Sequence, residues 1–81
     1  IPSPEFDYEI ERVSGKYVIT VRSKSFLCQL HLISTKVRGV FSDNYFDMLP
    51  GEVQMIDFEP SENKELKKSE LIIRTLHELM N

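Results

Sequence analysis

Apolar and polar residues alternate through the first third of the chain. Phe6, Tyr8 and Ile10 are separated by Asp7, Glu9 and Glu11, and a period of two predicts a half-buried strand. Val13 continues the run less regularly, and Ser14-Gly15 is a short hairpin signal. Residues 16–23 then place Tyr17, Ile19 and Val21 on one face and Val18, Thr20 and Arg22 on the other, with β-branched content that suits a pleated surface. Residues 26–33 predict a third strand, with Phe26, Cys28, Leu30 and Leu32 facing inward and Gln29 and His31 opposite. Residues 37–41 are short and carry Gly39, which points to an edge or a bulge. Two further strands are expected over residues 45–49 and 52–58, joined by Pro50-Gly51, which fits the centre of a type II turn. The inward faces of these two hold Phe46 and Met48, then Ile56 and Phe58. Val53 and Met55 compete with Ile56 and Phe58 for the core, so the pattern leaves that register open.

The last segment carries two patterns. Leu66, Ile72 or Ile73, Leu76, Leu79 and Met80 recur at helical spacing, with Lys67, Lys68, Glu70, Arg74 and Glu78 outside. By periodicity alone the helix leads by a small margin. Residues 59–64 read as a clear loop, and residues 70–76 also read as a short buried strand after the charged loop of residues 61–69. Six earlier strand candidates at intervals of roughly ten residues suggest an all-β sandwich, which calls for a seventh.

The totals narrow the function classes. With 81 residues, the chain is one small domain, far below the about 250 residues of a (β/α)₈ barrel. Ten basic and thirteen acidic residues give a net charge of −3 with both signs interspersed, so no basic stripe invites nucleic acid. Cys28 is the single cysteine, which excludes an internal disulfide. No apolar run approaches the ~18 residues of a membrane-spanning helix, and no membrane partner is expected. Residues 1–5, beginning Ile1-Pro2-Ser3-Pro4, are expected to be a stiff linker from a preceding domain, with the domain itself over residues 6–81.

The chemistry-bearing residues make no catalytic constellation. Two carboxyl groups that work as a nucleophile and acid on one bond need to stand about 5 Å apart. Asp43 and Asp47, if one strand held both, would stand about 13 Å apart at ~3.3 Å per residue. Asp43 is expected to cap a turn and Asp47 to face solvent, and Glu52 completes the cluster of acids. Cys28 and His31 have metal-ligand spacing, but three residues apart on a regular strand they face opposite ways. Ser25 and Ser42 have no histidine near them in sequence, and Gly15, Gly39 and Gly51 are too isolated to cradle phosphate. Tyr8, Tyr17 and Tyr45 could stack on sugar if exposed together, but each is expected inward. Lys64, Lys67 and Lys68 are offset by Glu62, Glu65 and Glu70, as in a solvated loop. No catalytic, cofactor-binding or metal residue is assigned, and no cofactor is expected.

One phrase is specific. Phe41-Ser42-Asp43-Asn44-Tyr45-Phe46-Asp47-Met48-Leu49-Pro50-Gly51-Glu52 resembles the signature of the C-terminal immunoglobulin-like domain of β-mannosidases in glycoside hydrolase family 2, with Met48 where that family often has Leu. Phe58-Glu59-Pro60, the charged loop and Leu71-Ile72-Ile73-Arg74-Thr75-Leu76 are similar to the family's closing loop and last strand. The resemblance implies an all-β, immunoglobulin-like sandwich of about seven antiparallel strands, and it turns residues 70–76 into a strand, with residues 77–81 ending in a helical turn or fraying. It implies a parent enzyme that removes terminal β-D-mannose with retention, lysosomal or bacterial periplasmic. The catalytic glutamates of that family lie in a separate barrel, so the fragment itself is expected to be silent. Its expected partners are the other domains of the parent, with oligosaccharide as the alternative for a carbohydrate-binding module. A related exo-β-glucosaminidase with a similar last domain is a further alternative for the parent.

Overall fold

The computed structural model describes residues 5–62 and 64–76. Among them seven strands form two antiparallel sheets that face each other, an immunoglobulin-like β-sandwich. The strands are β1 (Phe6–Val13), β2 (Lys16–Ser23), β3 (Leu27–Ser34), β4 (Gly39–Phe41), β5 (Phe46–Met48), β6 (Val53–Pro60) and β7 (Leu71–Arg74). One sheet runs in the order β1-β2-β6-β4 and the other β5-β3-β7. The chain therefore changes sheet at every connection after the β1–β2 hairpin.

Local chemistry sets the turns. Ser14 and Gly15 both have positive φ, 50° and 81°, which is the backbone of a type I′ turn and matches the twist of β1 and β2. Those strands then pair in unbroken register from Phe6 opposite Ser23 to Val13 opposite Lys16. At Leu49-Pro50-Gly51-Glu52 the Glu52 N–H donates to the Leu49 carbonyl at 3.1 Å and Gly51 has φ of 87°, the type II turn that Pro50-Gly51 predicts.

The core lies between the sheets. Tyr17, Ile19 and Val21 of β2 and Ile56 and Phe58 of β6 are buried against Leu27, Leu30 and Leu32 of β3, Met48 of β5, and Leu71 and Ile73 of β7. Phe6, Tyr8 and Ile10, on edge strand β1, are half-buried and pack on the rim of this cluster with Phe41 and Phe46. The open register resolves in favour of Ile56 and Phe58, because Ile19 lies opposite Ile56 and Tyr17 opposite Phe58. Phe58 is the centre of an aromatic group, 4.7 Å from Phe41 and 6.5 Å from Tyr17 between ring centroids. Gly39 opens edge strand β4 because a Cβ there would lie 2.5 Å from the Glu59 carbonyl oxygen and 2.6 Å from Phe58 Cζ.

Two expectations are corrected. Residues 26–33 do not form one regular face. The register of β3 against β5 shifts between Leu27 and Leu30, and Gln29 adopts φ of 52°, a β-bulge that inserts one residue and changes the parity of the strand. Leu27 is consequently buried, Phe26 is 54% exposed and Cys28 is only half-buried. The helix that periodicity favours is also not formed over the described part of the last segment, where the strand implied by the resemblance is present. Leu66 is buried from the loop, a 3₁₀ turn covers Lys68–Glu70, and Leu71 and Ile73 then enter the core with period two. The strand is shorter than residues 70–76, since it ends at Arg74. The expectation of a linker over residues 1–5 falls largely on residues 1–4, and that for residues 77–81 wholly on its own span, and both spans lie outside the described residues.

Candidate functional site

The phrase from Phe41 to Glu52 is the corner where the chain leaves one sheet for the other, and its polar side chains bind backbone. Ser42 closes the first sheet: its N–H donates to the Asp57 carbonyl at 2.8 Å, and its Oγ accepts the Asp57 N–H at 2.9 Å. Asn44 opens the second. Its Oδ1 accepts the Leu32 N–H at 2.8 Å and its Nδ2 donates to the Leu32 carbonyl at 3.2 Å, so one amide side chain stands in for a missing strand beside β3. Asp43 Oδ1 accepts the N–H of Asn44 at 2.8 Å. Asp47 Oδ1 accepts the Gln29 N–H at 2.9 Å, the donor that the bulge takes out of the ladder. Glu52 Oε1 accepts the Leu49 N–H at 2.7 Å and so braces the turn.

That arrangement decides the carboxylates. Asp43, Asp47 and Glu52 each accept a different backbone N–H at a different point of the corner, and hydrogen bonds of this charge-assisted kind are structural tethers. They do not converge on a shared cleft. Asp43 caps the turn as expected, and Asp47 is exposed while still holding β3.

The other candidates scatter. The bulge overturns the facing argument for Cys28 and His31: with Leu27 and Leu30 both inward, the two residues between and beyond the bulge lie on the outer side together. Even so, the described residues contain no group of three or more His, Cys, Asp or Glu able to hold a metal. Ser42 is engaged by Asp57 and Ser25 by Glu5, whose N–H it accepts at 3.0 Å. Tyr17 is buried and its hydroxyl accepts the Leu66 N–H at 3.1 Å. Tyr8 is half-buried under Lys68, whose Nζ stands 5.0 Å from the ring centroid. Lys64 pairs with Glu62 at 3.7 Å on the surface.

Tyr45 is the tyrosine that the pattern misplaces. It does not face inward: it has φ of 57°, is 66% exposed, and stacks on His31 with ring centroids 5.2 Å apart and planes 14° from parallel. The sequence signal for this was the short polar run before it, because Asn44 Oδ1 also accepts the Tyr45 N–H at 3.2 Å and turns the backbone outward.

Two surfaces stand out. On the outer face of the β1-β2-β6-β4 sheet, Val40, Val53 and Met55 are 70%, 54% and 67% exposed, with Thr20 opposite Met55. The outer face of the β5-β3-β7 sheet carries Tyr45, His31, Ile33, Ile72 and Arg74. A groove of about 510 Å³, open to solvent, lies at one end between Lys36, Arg38, Phe41, Glu62 and Lys64. No helix among the described residues is long and apolar enough to cross a membrane.

The family model for the Ig_mannosidase Ig-fold domain matches residues 1–79. Comparison with curated proteins gives no match.

Proposed function

The chain belongs to the Ig_mannosidase family of Ig-fold domains, and from that premise we propose that it is a non-catalytic accessory domain of a β-mannosidase-like enzyme of glycoside hydrolase family 2. Its work is to pack against the rest of that enzyme, which removes terminal β-D-mannosyl residues with chemistry located on another domain. The observation that carries this reading is the outer face of the β1-β2-β6-β4 sheet. Val53 and Met55, two residues apart on the outer side of β6, hold large apolar side chains in solvent, and Val40 of β4 adds a third opposite Glu59; apolar side chains gathered on one exposed face mark a surface that another body covers. The tethered acids of the corner support the silent half of the proposal, because Asp43, Asp47 and Glu52 are occupied with backbone N–H groups.

The test is reconstitution. The parent enzyme, truncated before this domain, is titrated with the 81-residue chain. Saturable binding that raises the melting temperature of the truncated enzyme is the expected result. An absence of binding, or turnover of an aryl β-mannoside by the chain alone, would overturn it.

A further inference from the structure

The outer face of the β5-β3-β7 sheet carries a feature that the packing role does not use. Among the described residues three non-glycine positions have positive φ: Ser14, Gln29 and Tyr45. Ser14 belongs to the β1–β2 hairpin turn, whereas Gln29 and Tyr45 both meet His31, Tyr45 through its ring and Gln29 through its carbonyl. A bulky L-residue in the left-handed region brings its Cβ too close to the following carbonyl oxygen. Backbone strain of this kind gathers at binding sites, where the surrounding structure over-determines it.

Here the over-determination is visible. Asp47 holds the Gln29 N–H at 2.9 Å, and Asn44 holds the Tyr45 N–H at 3.2 Å. The Gln29 carbonyl lies 3.4 Å from Nδ1 of His31, whose imidazole stacks under the phenol ring. The result is a pre-set aromatic plate, backed on one side by His31 and 66% exposed. Its rim is polar. Gln29 and Asp47 are exposed beside it, and Arg74 sits directly opposite His31 in the ladder, where cross-strand side chains are neighbours.

We propose that Tyr45 and His31 form a stacking platform for a β-linked mannosyl chain, with Gln29, Asp47 and Arg74 placed to hydrogen-bond its hydroxyls. An exposed ring with charged and amide groups near it, and Ile33 and Ile72 further along the same face, suits the apolar face of a pyranose. The core of a protein interface is broader and depleted of charge. Neither Tyr45 nor His31 lines the two deeper grooves of the described residues, so the ligand rests on an open surface, as an extended chain does. The sugar class rests on the function proposed above for the parent enzyme and not on the packing face, which belongs to the other sheet.

The experiment is a titration of the ¹⁵N-labelled 81-residue chain with β-1,4-mannohexaose, followed by amide shifts. Saturable shifts centred on Tyr45, His31 and Gln29 are expected, with Kd on the order of 1 mM for a single-ring platform. Tyr45→Gly keeps the backbone conformation and removes the ring, so binding is lost while the melting temperature holds or rises. Tyr45→Phe retains binding. Absence of shifts up to about 20 mM, shifts confined to another surface, or unchanged binding by Tyr45→Gly would each overturn the proposal. So would protection of Tyr45 by the truncated parent enzyme in place of sugar. Met55→Glu leaves the titration unaltered, so a failed packing face and a failed platform give different results.

Discussion

Replacing Asn44 with alanine removes two hydrogen bonds at once from Leu32. The amide of Asn44 bonds both the N–H and the carbonyl of that residue, at 2.8 and 3.2 Å, and Leu32 is buried between the sheets. A net hydrogen bond is worth about 0.5–1.5 kcal/mol, and leaving a buried partner unsatisfied costs about 1–3 kcal/mol. The two backbone groups sit at the flank of the sandwich and recover part of that loss, so Asn44→Ala should destabilise by about 2–4 kcal/mol. For a domain of this size the whole stability is roughly 4–12 kcal/mol, and the change lowers the melting temperature by about 10–25 °C. Urea unfolding gives the free energy, and hydrogen exchange at the Leu32 amide locates it. Asn44→Asp keeps an acceptor for the Leu32 N–H but turns a carboxylate toward the carbonyl, and should recover little. A loss below about 0.5 kcal/mol, with unchanged protection at Leu32, would refute the claim that this side chain replaces a strand.

Two single positions give further expected outcomes. Gly39→Ala forces a Cβ to within 2.5 Å of the Glu59 carbonyl oxygen and 2.6 Å of Phe58 Cζ, so it should cost at least about 2 kcal/mol by thermal or urea unfolding and shift the Phe41 and Phe58 ring resonances. Thr75 is fully buried with an Oγ1 that has no partner among the described residues, so Thr75→Val should leave stability unchanged or raise it by about 1 kcal/mol, where a hidden hydrogen bond would instead make it a loss.

The regular strands were legible because their chemistry is local. β1 and β2 alternate, and the faces that alternation predicts are half-buried in β1 and buried in β2; β6, whose register the pattern left open, follows β2, with Ile56 and Phe58 buried beside Ile19 and Tyr17. β3 was legible only in its second half, where Leu30 and Leu32 face inward as expected; before it the residue inserted at Gln29 reverses the parity, and the group that stabilises it, Asp47, lies eighteen positions away. The C-terminal segment misled for a related reason. Leu66 belongs to a loop whose N–H is held by the Tyr17 hydroxyl, and Leu71 and Ile73 belong to a strand, so residues from two elements imitated one helical face. In the corner, the preference of Ser42-Asp43-Asn44 for turns could be read, but the partners of Ser42 and Asn44 could not. Asp57 and Leu32 come to them only through the pairing of sheets. Tyr45 followed its aromatic neighbours in the pattern and left them in the fold, because the corner gives it a left-handed backbone.

The most direct measurement of the packing role is the melting temperature of Met55→Glu made twice, once in the 81-residue chain and once in the full parent enzyme. Met55 points outward from β6, 67% exposed, so the isolated chain should change by no more than about 0.5 kcal/mol. In the parent the same charge would be buried without a partner, which costs several kcal/mol, and this domain should melt earlier or detach. Equal, negligible effects in both settings would contradict the claim that the sandwich is there to be covered.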